Sequence, residues 1–300
     1  MQRRFSKFAW FVLAYNILVI LWGAYVRVSF SGDGCGFNWP TCNGQIVPQQ
    51  MSVPTAIEFT HRMMTSLDFF LILSLCIWAF LSFPRRHAVR LYALLSLVFL
   101  LIEALLGAGL VLFGYVTTDR SAGRAWYLSA HLINTMLLLA AMTVTAWLAS
   151  KGIEKLKLSG LTRTALLGAF GALFVSVSGA VTALGDTLYP ASSFAAGMRD
   201  DFSSTSNFLV RLRVFHPLLA FAAAAYLLWL AATVLRPREP QPARSAAVGL
   251  AAVTILQLVI GFVNLLLLAP AWIQITHLLI ADILWIALVI FALETGKIRS

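Results

Sequence analysis

Four histidines carry most of the chemistry this sequence offers. His61, His131, His216 and His277 each lie about five or six residues inside the same end of a long apolar run, roughly 8 Å below one boundary at 1.5 Å per helical residue. One such histidine is as readily an interhelical hydrogen bonder as a ligand. Four at one depth, two in each half of the chain, fit imidazoles projecting from facing helices onto a planar cofactor, as in bis-histidine ligation of haem iron. Zinc would ask for a tetrahedral shell with cysteine or carboxylate, and copper for Cys or Met beside the His. Two haem sites follow, His61 with His131 and His216 with His277, with pairing across the halves left open. His87, in the basic stretch PRRHAVR, is read as a solvated charge.

Three residues before the first histidine of each half the chain diverges, with Glu58-x-x-His61 in one case and Arg213-x-x-His216 in the other. That spacing puts each pair on one helix face. An arginine beside a haem pairs with its propionates, and Arg211 could share the task. A buried carboxylate handles protons or stabilises a developing cation, so the first pocket is expected to react and the second to transfer electrons. The plainer role for Glu58 is to orient an imidazole or to pair with Arg62. Cys35 and Cys42, seven apart within GDGCGFNWPTCNG, are expected to form a disulfide or a redox-active pair. Cys76 reads as a small packed side chain.

These groups need a frame, and hydropathy supplies it. The chain has 300 residues, 60% hydrophobic and 11% charged, with a mean hydropathy of +0.85, which marks an all-α integral membrane protein. Eight spanning runs fall near 8–28, 57–81, 89–113, 126–148, 162–184, 210–234, 246–268 and 272–293. The first follows a basic start but lacks an A-x-A-like cleavage site, so it is expected to be a retained helix. With a cytoplasmic N-terminus, Arg3, Arg4, Lys7, Arg85, Arg86, Arg90, Lys151, Lys155, Lys157, Arg163, Arg236, Arg238, Arg244, Lys297 and Arg299 all fall inside, and so does the C-terminus. The formal charge of +10 is thereby explained by topology, and no nucleic-acid footprint is visible.

The runs also repeat. WGAYVRVSFSGDG (22–34) is echoed by SGAVTALGDTLYP (178–190), His61 by His216, and HLINTMLLLA (131–140) by HLLIADILWI (277–286). Four helices return the chain to its starting side, so residues 1–150 and 151–300 form two parallel four-helix halves about a pseudo-twofold axis along the membrane normal. Asp68, Glu103 and Asp282 are expected to pair with neighbouring helices rather than to form a proton path. Gly107, Gly109, Gly168, Gly171 and Gly179 are expected to allow close helix approach, and Trp126, Tyr127 and Trp272 to anchor at the interface.

GAYVRVSFSGDGCGFNWPTCNG followed by IEFTHRMMTS resembles the first outer loop and second helix of the haem A synthases, and GDTLYP and RLRVFHPLLA resemble the matching second-half segments. The resemblance runs over essentially the whole chain. It implies an oxidoreductase of cytochrome oxidase biogenesis that converts the C8 methyl of haem O to the formyl group of haem A. The family's substrate-haem ligands match His61 and His131, its haem b ligands His216 and His277, its catalytic carboxylate Glu58 and its loop cysteine pair Cys35 and Cys42. The commoner loop has Pro and Asp between the cysteines where this chain has Gly36, Phe37 and Asn38, and the second cysteine pair of some members is missing.

A bacterial-type plasma membrane, surrounding lipid, a haem O synthase that hands over substrate, an electron donor or acceptor, and an oligomer are the further expectations. Two other classes compete. A b-type membrane cytochrome would hold two haems unchanged and leave Glu58 without a task. A transporter would suit the repeat but would show a broken helix near the midplane.

Overall fold

The structure, a computed structural model, describes residues 2–156, 160–235 and 240–296, with the side chains of 160–162 left aside. Lys157, Arg236, Arg238, Lys297 and Arg299 lie outside the described residues. Among the described residues, eight helices are long and apolar enough to cross a membrane. They are α1 (Gln2–Val28), α2 (Val53–Ser82), α3 (Ala88–Leu112), α4 (Ala122–Lys151), α5 (Gly160–Leu188), α8 (Phe215–Val234), α9 (Gln241–Leu266) and α10 (Ala271–Thr295). Two short helices, α6 (Phe194–Phe202) and α7 (Phe208–Arg211), lie between α5 and α8. The fold is an all-helical multi-pass membrane protein.

Local chemistry sets the helix ends. Ser52 accepts the Thr55 backbone N–H at the start of α2, where Pro54 suits the first turn, and Ser121 does the same for Arg124 at the start of α4. Gly152, at φ 67°, closes α4 in a left-handed cap. His87 proves to be a cap as well. It is buried, and its Nδ1 accepts the Val89 backbone N–H at the start of α3. The solvated charge expected there is corrected, because a helix start needs an acceptor and a neutral imidazole supplies one.

The sixth spanning run is interrupted. The expected helix over 210–234 breaks into α7, a turn at Leu212–Val214, and α8. Pro217 explains this, since it has no N–H to donate to the Arg213 carbonyl and its ring would clash there. That carbonyl instead receives the His216 N–H at 3.3 Å. Arg213 therefore sits in the turn rather than on the helix face of His216. The break is at the outer end of the span, away from the midplane that a transporter would use.

Helix neighbours fall into two matching sets. In the first half α1 packs on α2 and α4, and α3 on α2 and α4; in the second α5 packs on α8 and α10, and α9 on α8 and α10. The seam joins α4 to α5, α1 to α10, and α4 to α10. The Trp285 indole N–H donates to the Met136 carbonyl across that seam at 2.7 Å, and Lys151 and Trp147 both reach Glu294 at its inner end.

Candidate functional site

Each of the four histidines lies against a glycine of the helix before it. A Cβ on Gly23 would come within 3.0 Å of the His61 ring, one on Gly179 within 2.9 Å of His216, and one on Gly261 within 3.0 Å of His277. Gly107 faces His131 more loosely, at 3.9 Å. The missing side chains leave room for an imidazole to lie flat on the neighbouring helix. Gly109 and Gly168 likewise admit Tyr127 and Leu227, whereas Gly171 faces open space and does not serve a close approach.

His216 and His277 face one another within the second half, with ring centroids 6.4 Å apart and planes at 86°. Two metal–imidazole bonds of about 2 Å, with about 1 Å from each nitrogen to its ring centre, span about 6 Å. The pair thus has the separation of two axial ligands on one iron, and two-point ligation suits a metal that brings its own equatorial ring. In the first half His61 and His131 lie within electrostatic reach of each other. Among the described residues no group of three or more His, Cys, Asp and Glu side chains is arranged for a bare metal ion. Two depressions, lined by Gln2, Ser82 and Phe83 and by Arg85, Arg86 and Arg90, lie at the opposite end of the helices from these histidines.

Glu58 is 3% exposed and fully engaged. Its Oε2 accepts the Cys35 backbone N–H at 2.8 Å, and its Oε1 pairs with Arg62 at 2.5 Å. Arg62 also donates to the carbonyls of Asn38 and Thr41 at 2.8 and 2.7 Å. The plainer of the two roles, pairing with Arg62, is therefore present in the structure and ties α2 to the first outer loop. Cys35 and Cys42 are joined by a disulfide and are both buried, while Cys76 is free and buried. Arg213 sends its Nη1 to Asp186 at 2.8 Å and its Nε to Asp201 at 3.0 Å, so two carboxylates stand where propionates were expected. Burial raises the Asp201 pKa, opposed by Arg213. Arg211 is exposed.

Residues 6–289 match the COX15-CtaA family, described as cytochrome oxidase assembly protein. The chain belongs to the COX15-CtaA family. A Thermus thermophilus protein named protoheme IX farnesyltransferase is 44% identical over 301 residues, covering 99% of this chain and 50% of that one. Two proteins named heme A synthase are similar over shorter stretches. The match is 38% identical over 113 residues in an Exiguobacterium species, 38% of each chain, and 39% over 108 residues in Lysinibacillus sphaericus, 35% of each. This COX15-CtaA chain thus spans about half the length of the Thermus protein and a smaller share of the others.

The contacts of four side chains in this COX15-CtaA protein, Glu103, Ser178, Gln257 and Arg27, escaped the sequence. Glu103 pairs with the neighbouring helix α4 as expected, and its partner there is a candidate ligand. Glu103 Oε1 lies 2.9 Å from His131 Nδ1, a hydrogen-bond distance although the N–H does not point straight at the oxygen. Asn134 donates to Glu103 at 2.5 Å, and Thr135 donates to it as well. Ser178 meets His216 Nδ1 at 3.0 Å, and Gln257 meets His277 Nε2 at 3.3 Å, whereas His61 Nδ1 has no partner among the described residues. Arg27, half-buried one turn along α1 from Gly23, bridges the halves to Thr187 and Gln274. Asp68 accepts from Asn16 of α1 as expected of a paired group. Asp282 departs from expectation, since it is fully buried and neither oxygen has a hydrogen-bond partner among the described residues. Trp126 and Trp272 are exposed as interface anchors should be, while Tyr127 packs on Phe113 and Tyr115.

Proposed function

We propose that this chain is a haem A synthase, which oxidises the C8 methyl of haem O to a formyl group and so supplies haem A for cytochrome oxidase. The observation that carries the reading is the His216–His277 pair, at bis-histidine spacing, in a member of a cytochrome oxidase assembly family. The relatives named heme A synthase support the reaction. The Thermus relative supports the substrate. It is twice as long as the stretch shared with this chain, so in our reading its farnesyl transfer belongs to its other part and delivers a farnesylated haem to the shared part. A haem O synthase is the corresponding partner here.

In this reading residues 1–150 take haem O between His61 and His131, and residues 151–300 hold haem b between His216 and His277. Iron porphyrin supplies the redox chemistry that side chains lack. Converting the methyl to a formyl group draws one oxygen atom from water and releases four electrons and four protons, so the site needs an electron acceptor and a proton outlet. Glu58, one turn from His61 and held in place by Arg62 and the Cys35 N–H, is the carboxylate we assign to those protons. The Arg62 contacts hold the disulfide loop against α2 beside Glu58. Arg213, fixed by Asp186 and Asp201, keeps Nη2 for a haem propionate. The farnesyl tail is itself lipid-like and enters sideways from the bilayer between helices of the first half. The membrane is the cell membrane with both termini cytoplasmic, as the basic ends and inner loops direct.

The test is co-expression with a haem O synthase in a host that lacks haem A. Haem A in the extracted pigments is the expected result. Haem O accumulating beside haem B, with no alcohol or aldehyde product, would defeat the proposal and leave a cytochrome that only transfers electrons.

A further inference from the structure

The two halves differ most sharply in what stands behind one histidine. Counting back four residues from the glycines that face the histidines, Gly107 leads to Glu103 and Gly261 to Gln257. EALLG on α3 and QLVIG on α9 thus put a carboxylate and an amide at the same place in the repeat, each reaching the histidine of the following helix. The supporting residues differ in the same sense. Asn134 and Thr135, three and four residues after His131, donate to the Glu103 carboxylate. Ile280 and Ala281 stand three and four residues after His277. The first half therefore builds a polar cradle for a carboxylate inside the bilayer, where an unsupported one would be costly, and the second half builds none.

We propose that Glu103 is a positioning residue that makes His131 an electron-rich iron ligand, and that Gln257 at the equivalent place leaves His277 an ordinary one. This inference rests on the haem reading above. A metal-bound histidine that gives its second nitrogen a carboxylate partner becomes more basic and is fixed in orientation. A more strongly donating axial ligand, with negative charge behind it, favours the oxidised iron and lowers its potential. Glu103 meets Nδ1 of His131 and leaves Nε2 for the iron. Gln257 meets Nε2 of His277, so if that nitrogen binds iron the amide must turn aside; either way His277 receives at most a neutral partner. The first-half iron thereby sits at the lower potential, so that electrons collected there run downhill to the second-half iron. The second-half iron stays easier to reduce, as an electron carrier requires.

The experiment is a potentiometric titration of the full-length, haem-loaded protein followed by visible absorption, with haem content measured in parallel. H216A, which removes a second-half ligand, assigns each transition to its half. The expected result is that E103Q keeps both haems and shifts the first-half Fe(III)/Fe(II) equilibrium about tenfold toward Fe(II), ~59 mV for a one-electron couple. Q257E is expected to move the second-half couple in the opposite direction. E103D, which retains the charge, should restore most of the wild-type potential. Full haem content with both potentials unmoved, or moved equally, would overturn the inference while leaving the haem reading intact. Wild-type protein that binds no haem would overturn both. Should E103Q lose its haem, Q257E decides, because a second-half potential that does not fall contradicts the proposed role of the carboxylate.

Discussion

Glu58 and Arg62 form a 2.5 Å ion pair on α2, and through it the helix holds the backbone of the disulfide loop. Arg62 donates to the Asn38 and Thr41 carbonyls while Glu58 accepts the Cys35 N–H, so five groups share one network around the buried Glu58. Removing one member of a buried pair leaves the other charge uncompensated, typically at about 3 kcal/mol. R62A is expected to lower the melting temperature of the detergent-solubilised protein and to expose the first outer loop to protease. R62K keeps the charge but loses the fork geometry and should fall between the two. An R62A variant as stable as wild type would show that the network does not hold the loop.

Glu58 itself is the sharper case, because the same carboxylate serves the loop and is assigned the protons of the reaction. Glu58→Gln keeps an acceptor for the Cys35 N–H but cannot carry a proton in exchange. The expected outcome is normal haem content with oxidation slowed at least about 100-fold, the scale of a lost general base, and with haem O or its alcohol accumulating. Equal rates for E58Q and wild type would remove Glu58 from the chemistry and leave it a structural residue.

The glycines that face the histidines give a graded prediction. Gly179→Ala would bring a methyl group within 2.9 Å of the His216 ring, so the ring must shift, while the same change at Gly107 meets His131 only at 3.9 Å. G179A is expected to alter the haem absorption bands and lower second-half haem content, and G107A to leave both unchanged. Absorption spectra of the purified variants decide this, and equal behaviour of the two would contradict the packing described for His216.

His87 gives the fold a titratable cap. Burial pushes its imidazole below its usual value of 6.5, offset in part by Glu154. The unfolded chain then binds the proton more readily, so the contribution of His87 is complete above about pH 6.5 and is lost as pH falls through the lower folded value. A cap of this kind is worth about 1 kcal/mol. Thermal melts from about pH 7 to about pH 5 should show wild type losing stability relative to H87N, whose side chain can accept the same N–H without titrating. Parallel curves would mean that His87 does not act through its neutral form.

The eight spans were legible in the sequence because hydropathy is a one-dimensional signal. The break before His216 was missed, because the apolar run around Pro217 looked continuous. What the sequence withheld was partnership across helices. Glu103 and Gln257 occupy matching places in the repeat, yet only the packing of α3 on α4 and of α9 on α10 reveals that each meets a histidine. The Glu58–Arg62 pair was legible at one-turn spacing, but the Cys35 N–H that Glu58 accepts was not, because its loop is far from Glu58 in sequence, and Arg213 looked available because Asp186 and Asp201 come from separate segments. His87 looked solvated because its neighbours Arg85 and Arg86 are exposed, while its own ring turns inward to the start of α3.

The central claim is that two histidine pairs hold two haems with different fates, and pigment analysis of the purified protein tests it most directly. Protein from cells that make haem O would be extracted with acid-acetone, and the haems separated and weighed by mass spectrometry, for wild type and for H216A. The account predicts haem B together with haem O, its alcohol or haem A in wild type, and selective loss of haem B in H216A. Haem B alone, unchanged when haem O is supplied, would contradict it.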